Sequence, residues 1–274
     1  MKVVVPSPTG TPEEYAAITE AGHEVVFGRP YAVSSSERSY SDRGPWDEAN
    51  LIDFCKDADV IIHGAVKRTV MAAAPHLRLV VGAAIGYERQ DVAGATELGI
   101  AVANSPSIEN FTGVAETTIG LMMQLGKRYK HKEKLLREGG WGSDVDRGYL
   151  LTGKTVGIVG FGRTGSGVAK RLQGWDANVI TYDPYVSPEK AAMLGVKMVD
   201  TLDELLESAD YVTLHLVVTP ETTRMIGEEQ LRKMKPTAYL INTSRGQVLD
   251  DEAFCKAINE NWIAGGALDV YWQE

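Results

Sequence analysis

The stretch Gly153-Lys154-Thr155-Val156-Gly157-Ile158-Val159-Gly160-Phe161-Gly162-Arg163-Thr164-Gly165 decides the fold. Thr155 to Val159 is a short apolar, β-branched run, the pattern of a strand covered on both faces of a parallel sheet. It leads directly into Gly160-x-Gly162-x-x-Gly165 and then into a helix-compatible segment, Ser166 to Leu172. In a strand-turn-helix of this kind the first glycine permits the tight turn and the second lets backbone approach a pyrophosphate. The third lets helix pack closely on strand. The N–H groups and positive dipole end of the helix then hold the phosphates. A second strand, Val179 to Tyr182, ends in Asp183, about 20 residues downstream, where an acidic side chain meets the adenosine ribose. A glycine turn in an unrelated α/β protein is the bland alternative, and the context outweighs it. The spacing predicts a dinucleotide site on Gly160, Gly162, Gly165 and Asp183, with Arg163 and Thr164 between the last two glycines.

Downstream the strand-helix alternation continues. Helices are expected at Leu202 to Glu207, Gly227 to Met234 and Asp250 to Asn259. The strands between and after them are Tyr211 to Val217, Ala238 to Asn242 and Ala267 to Tyr271. Polar groups gather at the strand ends: His215 with Thr219, Asn242-Thr243-Ser244-Arg245, and Asp269. In an open parallel sheet those ends face the nicotinamide half of a bound cofactor. Arg245 could pair bidentately with a substrate carboxylate or form a structural salt bridge, and pattern alone leaves the two even. Asp269 could accept from a carboxamide or cap the following turn. His215 reads as a packing histidine more readily than as a base. His23, His63, His76 and His131 have no local partner pattern.

Upstream, strands are expected at Lys2 to Val5, Glu24 to Phe27, Val60 to His63, Leu79 to Val81 and Ile100 to Val102. Thr11-Pro12-Glu13-Glu14 reads as a capped helix start, with Gly22 the stop. Val33 to Pro45 reads as a long surface loop. Helices are expected at Asp47 to Lys56, Val70 to Ala74 and from an Asp91 cap to Leu98. Repeated βα units imply a second parallel sheet. Ala84-Ile85-Gly86, at a strand's carboxyl end, could present N–H groups to an anion or be a mere turn. Asn104 to Ser107 reads as a domain junction. Val114 to Arg137 reads as one long helix, or two in tandem, basic toward its end.

A chain of 274 residues accommodates two domains with proper cores. The net charge of -9 argues against a nucleic-acid footprint. Cys55 and Cys255 form no metal or redox motif and fit a reducing compartment. No apolar run reaches a transmembrane length, and the opening apolar run is too short for a signal peptide. The default expectation is a cytoplasmic enzyme-sized protein with no bound metal.

The chain resembles the NAD-dependent D-isomer-specific 2-hydroxyacid dehydrogenases, the family of D-3-phosphoglycerate and glycerate/hydroxypyruvate dehydrogenases. The likeness is carried by Leu79 to Gly86, Val114-Ala115-Glu116, Lys154 to Gly165, Met234 to Gly246 and Gly266 to Val270. It implies an α/β protein with a flavodoxin-like parallel substrate domain, residues 1–104, and a Rossmann NAD-binding domain, residues 105–274. The active site would lie in the cleft between them, interconverting a D-2-hydroxy acid and its 2-keto acid. By resemblance Arg245 holds the substrate's carboxylate and carbonyl oxygen, and the Ile85 and Gly86 backbone completes that carboxylate site. Asp269 lies near the nicotinamide carboxamide, and His215 and Thr243 line the cofactor side. Glu274 sits at the spacing of the glutamate that raises the pKa of the catalytic histidine. A homodimer with contacts around the long helix is also expected.

The family pattern continues past Glu274 with a strand, the catalytic histidine and a helix returning to the substrate domain. The expectation is therefore a C-terminally incomplete chain, with no general acid/base to assign and apolar surface uncovered on the first domain. Val217 replaces the family's usual proline, and Ser107 to Gly113 is one residue longer than common, which leaves the match of Asn110 open. The alternative to an enzyme is a catalytically inactive, NAD-sensing, corepressor-like protein of the same fold.

Overall fold

The β-branched runs become the strands of two parallel sheets in the computed structural model, which describes residues 1–8, 11–28, 47–142 and 147–272. The chain divides into two units, Met1–Ser107 and Ile108–Glu274. The expected loop at Val33 to Pro45 lies outside the described residues, as does Glu274.

In the first unit, β1 (Lys2–Val5) is followed by a 3-10 turn (Pro12–Tyr15), α1 (Ala16–Glu20) and β2 (Glu24–Phe27). Then come α2 (Glu48–Cys55), β3 (Val60–Ile62), α3 (Arg68–Ala72), β4 (Leu79–Gly82), α4 (Val92–Leu98) and β5 (Ala101–Asn104). The strand order is β2-β1-β3-β4-β5, every pair parallel, which is the flavodoxin-like order. Helices end where the sequence says they should: Asp91 Oδ1 accepts from the Gly94 N–H, and Gly99 takes the left-handed conformation, φ 69°, that closes α4. One face of the sheet is sealed by Leu51, Cys55, Val70, Met71 and Ala95 against Val4, Ile61 and Val80. On the other face Tyr15 and Ile18 pack with Val3, Val5 and, from the neighbouring strand, Phe27. Farther along that face Leu79 and Val81 are half-buried, and their register partners Ala101 and Ala103 are exposed. The thinly covered apolar face of this unit is there.

The second unit opens with α5 (Ile108–Lys127) and α6 (Tyr129–Arg137). The order continues β6 (Thr155–Val159), α7 (Arg163–Leu172), β7 (Asn178–Tyr182), α8 (Pro188–Ala192), β8 (Lys197–Met198) and α9 (Leu202–Ser208). It closes with β9 (Tyr211–Leu214), α10 (Glu228–Lys233), β10 (Tyr239–Asn242), a 3-10 turn (Gly246–Val248), α11 (Asp251–Asn259) and β11 (Gly265–Leu268). The sheet runs β11-β10-β9-β6-β7-β8, all parallel, the doubly wound Rossmann order with its switch point between β6 and β9. Among the described residues, no helix is long and apolar enough to cross a membrane.

Several boundaries differ from the sequence reading. The tandem helices start earlier, at Ile108, and break at Arg128, whose φ of 56° is left-handed. β9 stops at Leu214 rather than Val217, because Leu214 pairs with Val159 and Asn242, the last residues of both flanking strands. β11 stops at Leu268, opposite Asn242, so Asp269 is the first residue beyond it. The α7 helix starts at Arg163, ahead of Ser166.

The core of this unit tolerates little change where α9 crosses β6. A Cβ on Gly157 would lie 2.5 Å from Leu205 Cδ2 and 3.0 Å from Ala209 Cβ, so the strand needs glycine for helix and sheet to close. Leu205→Ala alone is expected to cost about 2–5 kcal/mol by urea denaturation, as a fully buried leucine does. Gly157→Ala alone should also destabilise, by overpacking. The double variant should be markedly more stable than the sum of the two losses, since each change supplies what the other lacks. Simple additivity would disprove this contact.

Candidate functional site

Gly160 leaves β6 with φ 89°, and a Cβ there would stand 2.5 Å from the His215 carbonyl oxygen on the neighbouring strand end. Any other residue would be strained twice, in backbone and in contact. Gly165 is packed as tightly: its Cβ would run into the Gly160 carbonyl oxygen, so the first turn of α7 rests on the loop it follows. Gly162 is different. It is the N-cap of α7 with an ordinary φ of -71°, and a Cβ on it would meet nothing within 4 Å among the described residues. Two glycines thus shape the loop, and the third keeps an approach open to the first N–H groups of α7, which have no intrahelical acceptor.

Asp183, just past β7, braces this loop. Its Oδ2 accepts from the Phe161 N–H at 2.7 Å and its Oδ1 from the Tyr185 N–H at 2.9 Å. Each carboxylate oxygen retains a second lone pair, so the same group can still accept from ribose hydroxyls. Lys190 Nζ donates to the Phe161 carbonyl at 3.4 Å, and the Arg163 guanidinium lies over the Phe111 ring, 5.0 Å from its centroid. Open approach at Gly162, bare helical N–H groups and an acid at the ribose end together fit a dinucleotide. These residues would hold its pyrophosphate and adenosine ribose.

His215 follows β9. Its Nε2 lies 3.0 Å from Thr213 Oγ1, while its buried Nδ1 has no hydrogen-bond partner among the described residues. Burial pushes its pKa down to about 3, so the ring is neutral at physiological pH. Thr243 is buried, and its hydroxyl pairs at 2.8 Å with that of Thr118 on α5, which itself donates to the Val114 carbonyl. The Thr243 side chain thereby pins α5 to β10.

Past β10 the chain turns through Thr243, Ser244 and half-buried Arg245, whose Nη1 donates to the Ser244 carbonyl at 2.8 Å. A Cβ on the following Gly246 would collide with the Tyr271 carbonyl group, and Gln247 Nε2 donates to the Trp272 carbonyl at 3.2 Å. Arg224 stacks over the Trp272 ring at 4.9 Å. The segment after β11 is therefore laid against the arginine turn. Exposed Asp269 is tied in through its N–H, which donates to the Asn242 carbonyl at 2.9 Å. Because every strand is parallel, Gly160 to Gly165, Asp183, His215, Thr243, Arg245 and Asp269 all stand at the carboxyl edge of one sheet. Ile85 and Gly86 stand at the corresponding edge of the first unit, half-buried, with Asn104 Nδ2 donating to the Ile85 carbonyl at 2.8 Å.

Sequence reasoning placed Asn242 in the polar strand-end group without giving it a role of its own, and did not single out Phe111 or Lys190 as parts of the site. An asparagine at a strand end before a polar turn is a readable signal, because its side chain readily bonds backbone two residues on.

Residues 119–274 match the model of the D-isomer specific 2-hydroxyacid dehydrogenase NAD-binding domain. The chain belongs to the D-isomer-specific 2-hydroxyacid dehydrogenases. It is an NAD-dependent oxidoreductase of this family. A glyoxylate reductase from Korarchaeum cryptofilum is 41% identical over 242 residues, covering 86% of this chain and 72% of the relative. A D-3-phosphoglycerate dehydrogenase from Methanocaldococcus jannaschii is 39% identical over 82% of this chain, which spans only 43% of that longer protein. The crystal structure of an NAD-dependent formate dehydrogenase from Staphylococcus aureus in complex with NAD superposes with a TM-score of 0.81 at 28% identity. That match covers 100% of this chain and 82% of the other.

The glycines separate stability from binding. Gly162→Ala should leave the thermal midpoint within about a degree or two yet weaken NADH binding roughly tenfold or more, because its methyl group enters the approach to the phosphates. Gly165→Ala should lower the midpoint outright. Thermal melts with NADH fluorescence titrations distinguish them; wild-type NADH affinity in Gly162→Ala would remove the pyrophosphate from this loop.

Proposed function

We propose that the protein uses NADH to reduce a small 2-keto acid to the D-2-hydroxy acid, with Arg245 holding the substrate carboxylate. The observation that carries this reading is the placement of a half-buried arginine on a braced turn at the same sheet edge as the dinucleotide loop. A planar guanidinium matches a carboxylate bidentately, so it fixes the orientation as well as the charge of the bound acid. Bound nicotinamide supplies the hydride, and the chain's own residues orient the partners. In this reading Asp269 accepts from the carboxamide, and neutral His215 and the Thr243 backbone shape the cofactor wall. In the first unit, the Ile85 and Gly86 N–H groups serve as anion donors. Glu274 is the carboxylate that favours protonation of the group delivering the proton.

Arg245→Ala should lower kcat/KM for glyoxylate or pyruvate by roughly two to three orders of magnitude while leaving the NADH Kd within about twofold. Unchanged kcat/KM would assign the carboxylate to another group. The Asp183 carboxylate accepts from ribose hydroxyls and repels a 2′-phosphate, so NADH should bind about tenfold or more tightly than NADPH. Equal affinities would remove that role.

The same reading includes a homodimer formed through α6. This helix has no buried residue, and its Leu136, together with Trp141 and Leu150 later in the chain, is more than half exposed. Light scattering should give twice the chain mass, and Leu136→Glu with Trp141→Glu should give a monomer; a monomeric wild type would refute it. The free Cys55 and Cys255 support a reducing, cytoplasmic setting.

A further inference from the structure

The side chain that organises the Arg245 turn is Asn242, the last residue of β10 and only 1% exposed. Its Oδ1 accepts two hydrogen bonds, from the Ser244 N–H at 3.0 Å and the Ser244 hydroxyl at 2.9 Å. Its Nδ2 donates to the Arg245 carbonyl at 2.9 Å. The Ser244 carbonyl, at the far end of the residue so held, receives Arg245 Nη1 at 2.8 Å. The result is a continuous relay: carboxamide to Ser244, Ser244 to guanidinium, with the Arg245 carbonyl tied back to the same carboxamide. The Asn242 main-chain carbonyl also receives the Asp269 N–H. One buried residue therefore bears on both polar groups proposed to meet substrate and cofactor.

The chemistry demands an amide here. Two donors converge on one oxygen and a carbonyl faces the nitrogen, so only a group with an acceptor and a donor on one plane satisfies all three. A flipped amide would set N–H against N–H and oxygen against oxygen. Aspartate keeps the acceptor but turns a second oxygen on the Arg245 carbonyl, and alanine takes the acceptor away from the buried Ser244 N–H and hydroxyl and one donor away from the Arg245 carbonyl.

We propose that Asn242 is a positioning residue for Arg245: its carboxamide sets the direction of the guanidinium and so the affinity for the substrate carboxylate. It does not touch substrate. The proposal rests on Arg245 being the carboxylate-binding group, and the experiment separates the two. Oxamate, an isostere of pyruvate, is titrated into the full chain saturated with NADH, and binding is read from the change in NADH fluorescence. Wild type, Arg245→Ala, Asn242→Asp, Asn242→Ala and Ser244→Ala are compared, with the NADH Kd and thermal midpoint of each.

Asn242→Asp and Asn242→Ala are expected to weaken oxamate roughly tenfold or more with NADH Kd within about twofold. Ser244→Ala, which loses one of the two bonds to Oδ1, should weaken it about threefold or less. A merely structural residue would behave otherwise: the fraction of protein that binds NADH would fall, and the remainder would bind oxamate with wild-type Kd. That result, in either Asn242 variant, overturns the proposal. Should Asn242→Ala fail to fold, the nearly isosteric Asn242→Asp decides. If Arg245→Ala abolishes oxamate binding while both Asn242 variants bind normally, positioning by Asn242 is wrong and the Arg245 assignment stands. If Arg245→Ala binds oxamate like wild type, or wild type binds none, the carboxylate assignment fails and the proposal with it.

Discussion

The packing of Gly165 against the Gly160 carbonyl oxygen, which leaves no room for a Cβ, is the constraint on which the cofactor edge depends. It sets the start of α7 directly on the loop leaving β6, and it aims the unsatisfied N–H groups of that helix across Gly162. The loop cannot relax away from this arrangement. Gly160 is pressed against the His215 carbonyl on one side, and the Asp183 carboxylate holds the Phe161 N–H on the other. A binding surface made of main-chain donors has little side-chain entropy to lose when a phosphate arrives, which is why glycine rather than lysine dominates it.

The second feature of the edge is built on the opposite principle. Around Arg245 the backbone is ordinary, φ -144° and ψ 140°, and side chains supply the rigidity. Asn242, Ser244, Gln247 and Trp272 close a set of hydrogen bonds about the turn. A long arginine is entropically costly to order, so fixing the peptides on either side before substrate arrives lowers the cost of each binding event. The Thr118–Thr243 pair performs a similar task one residue earlier, anchoring the turn to α5.

Much of this was legible in the sequence because the signals are local. Gly160-x-Gly162-x-x-Gly165 and Asp183 are read from spacing, and the all-apolar strands announce a sheet covered on both sides. What was not legible depends on partners distant in the chain. The end of β9 is set by where β6 and β10 stop, not by the apolar run through Val217. Arg128 breaks the tandem helices in a left-handed conformation that a basic, helix-favouring stretch does not advertise. Thr243 reads as a polar strand-end group, and only packing shows its hydroxyl turned to Thr118. Asp183 reads as a ribose acceptor, and only the fold reveals that it also braces the glycine loop.

Amide hydrogen exchange of the full chain, followed by mass spectrometry with and without NADH, tests most directly whether this loop is the dinucleotide site. Slowed exchange confined chiefly to Phe161 through Gly165 and to the segment from Asp183 to Tyr185 is the expected result, since bound phosphates and ribose would cover those N–H groups. Unchanged exchange in both segments at saturating NADH, or protection only within Met1–Ser107, would contradict it.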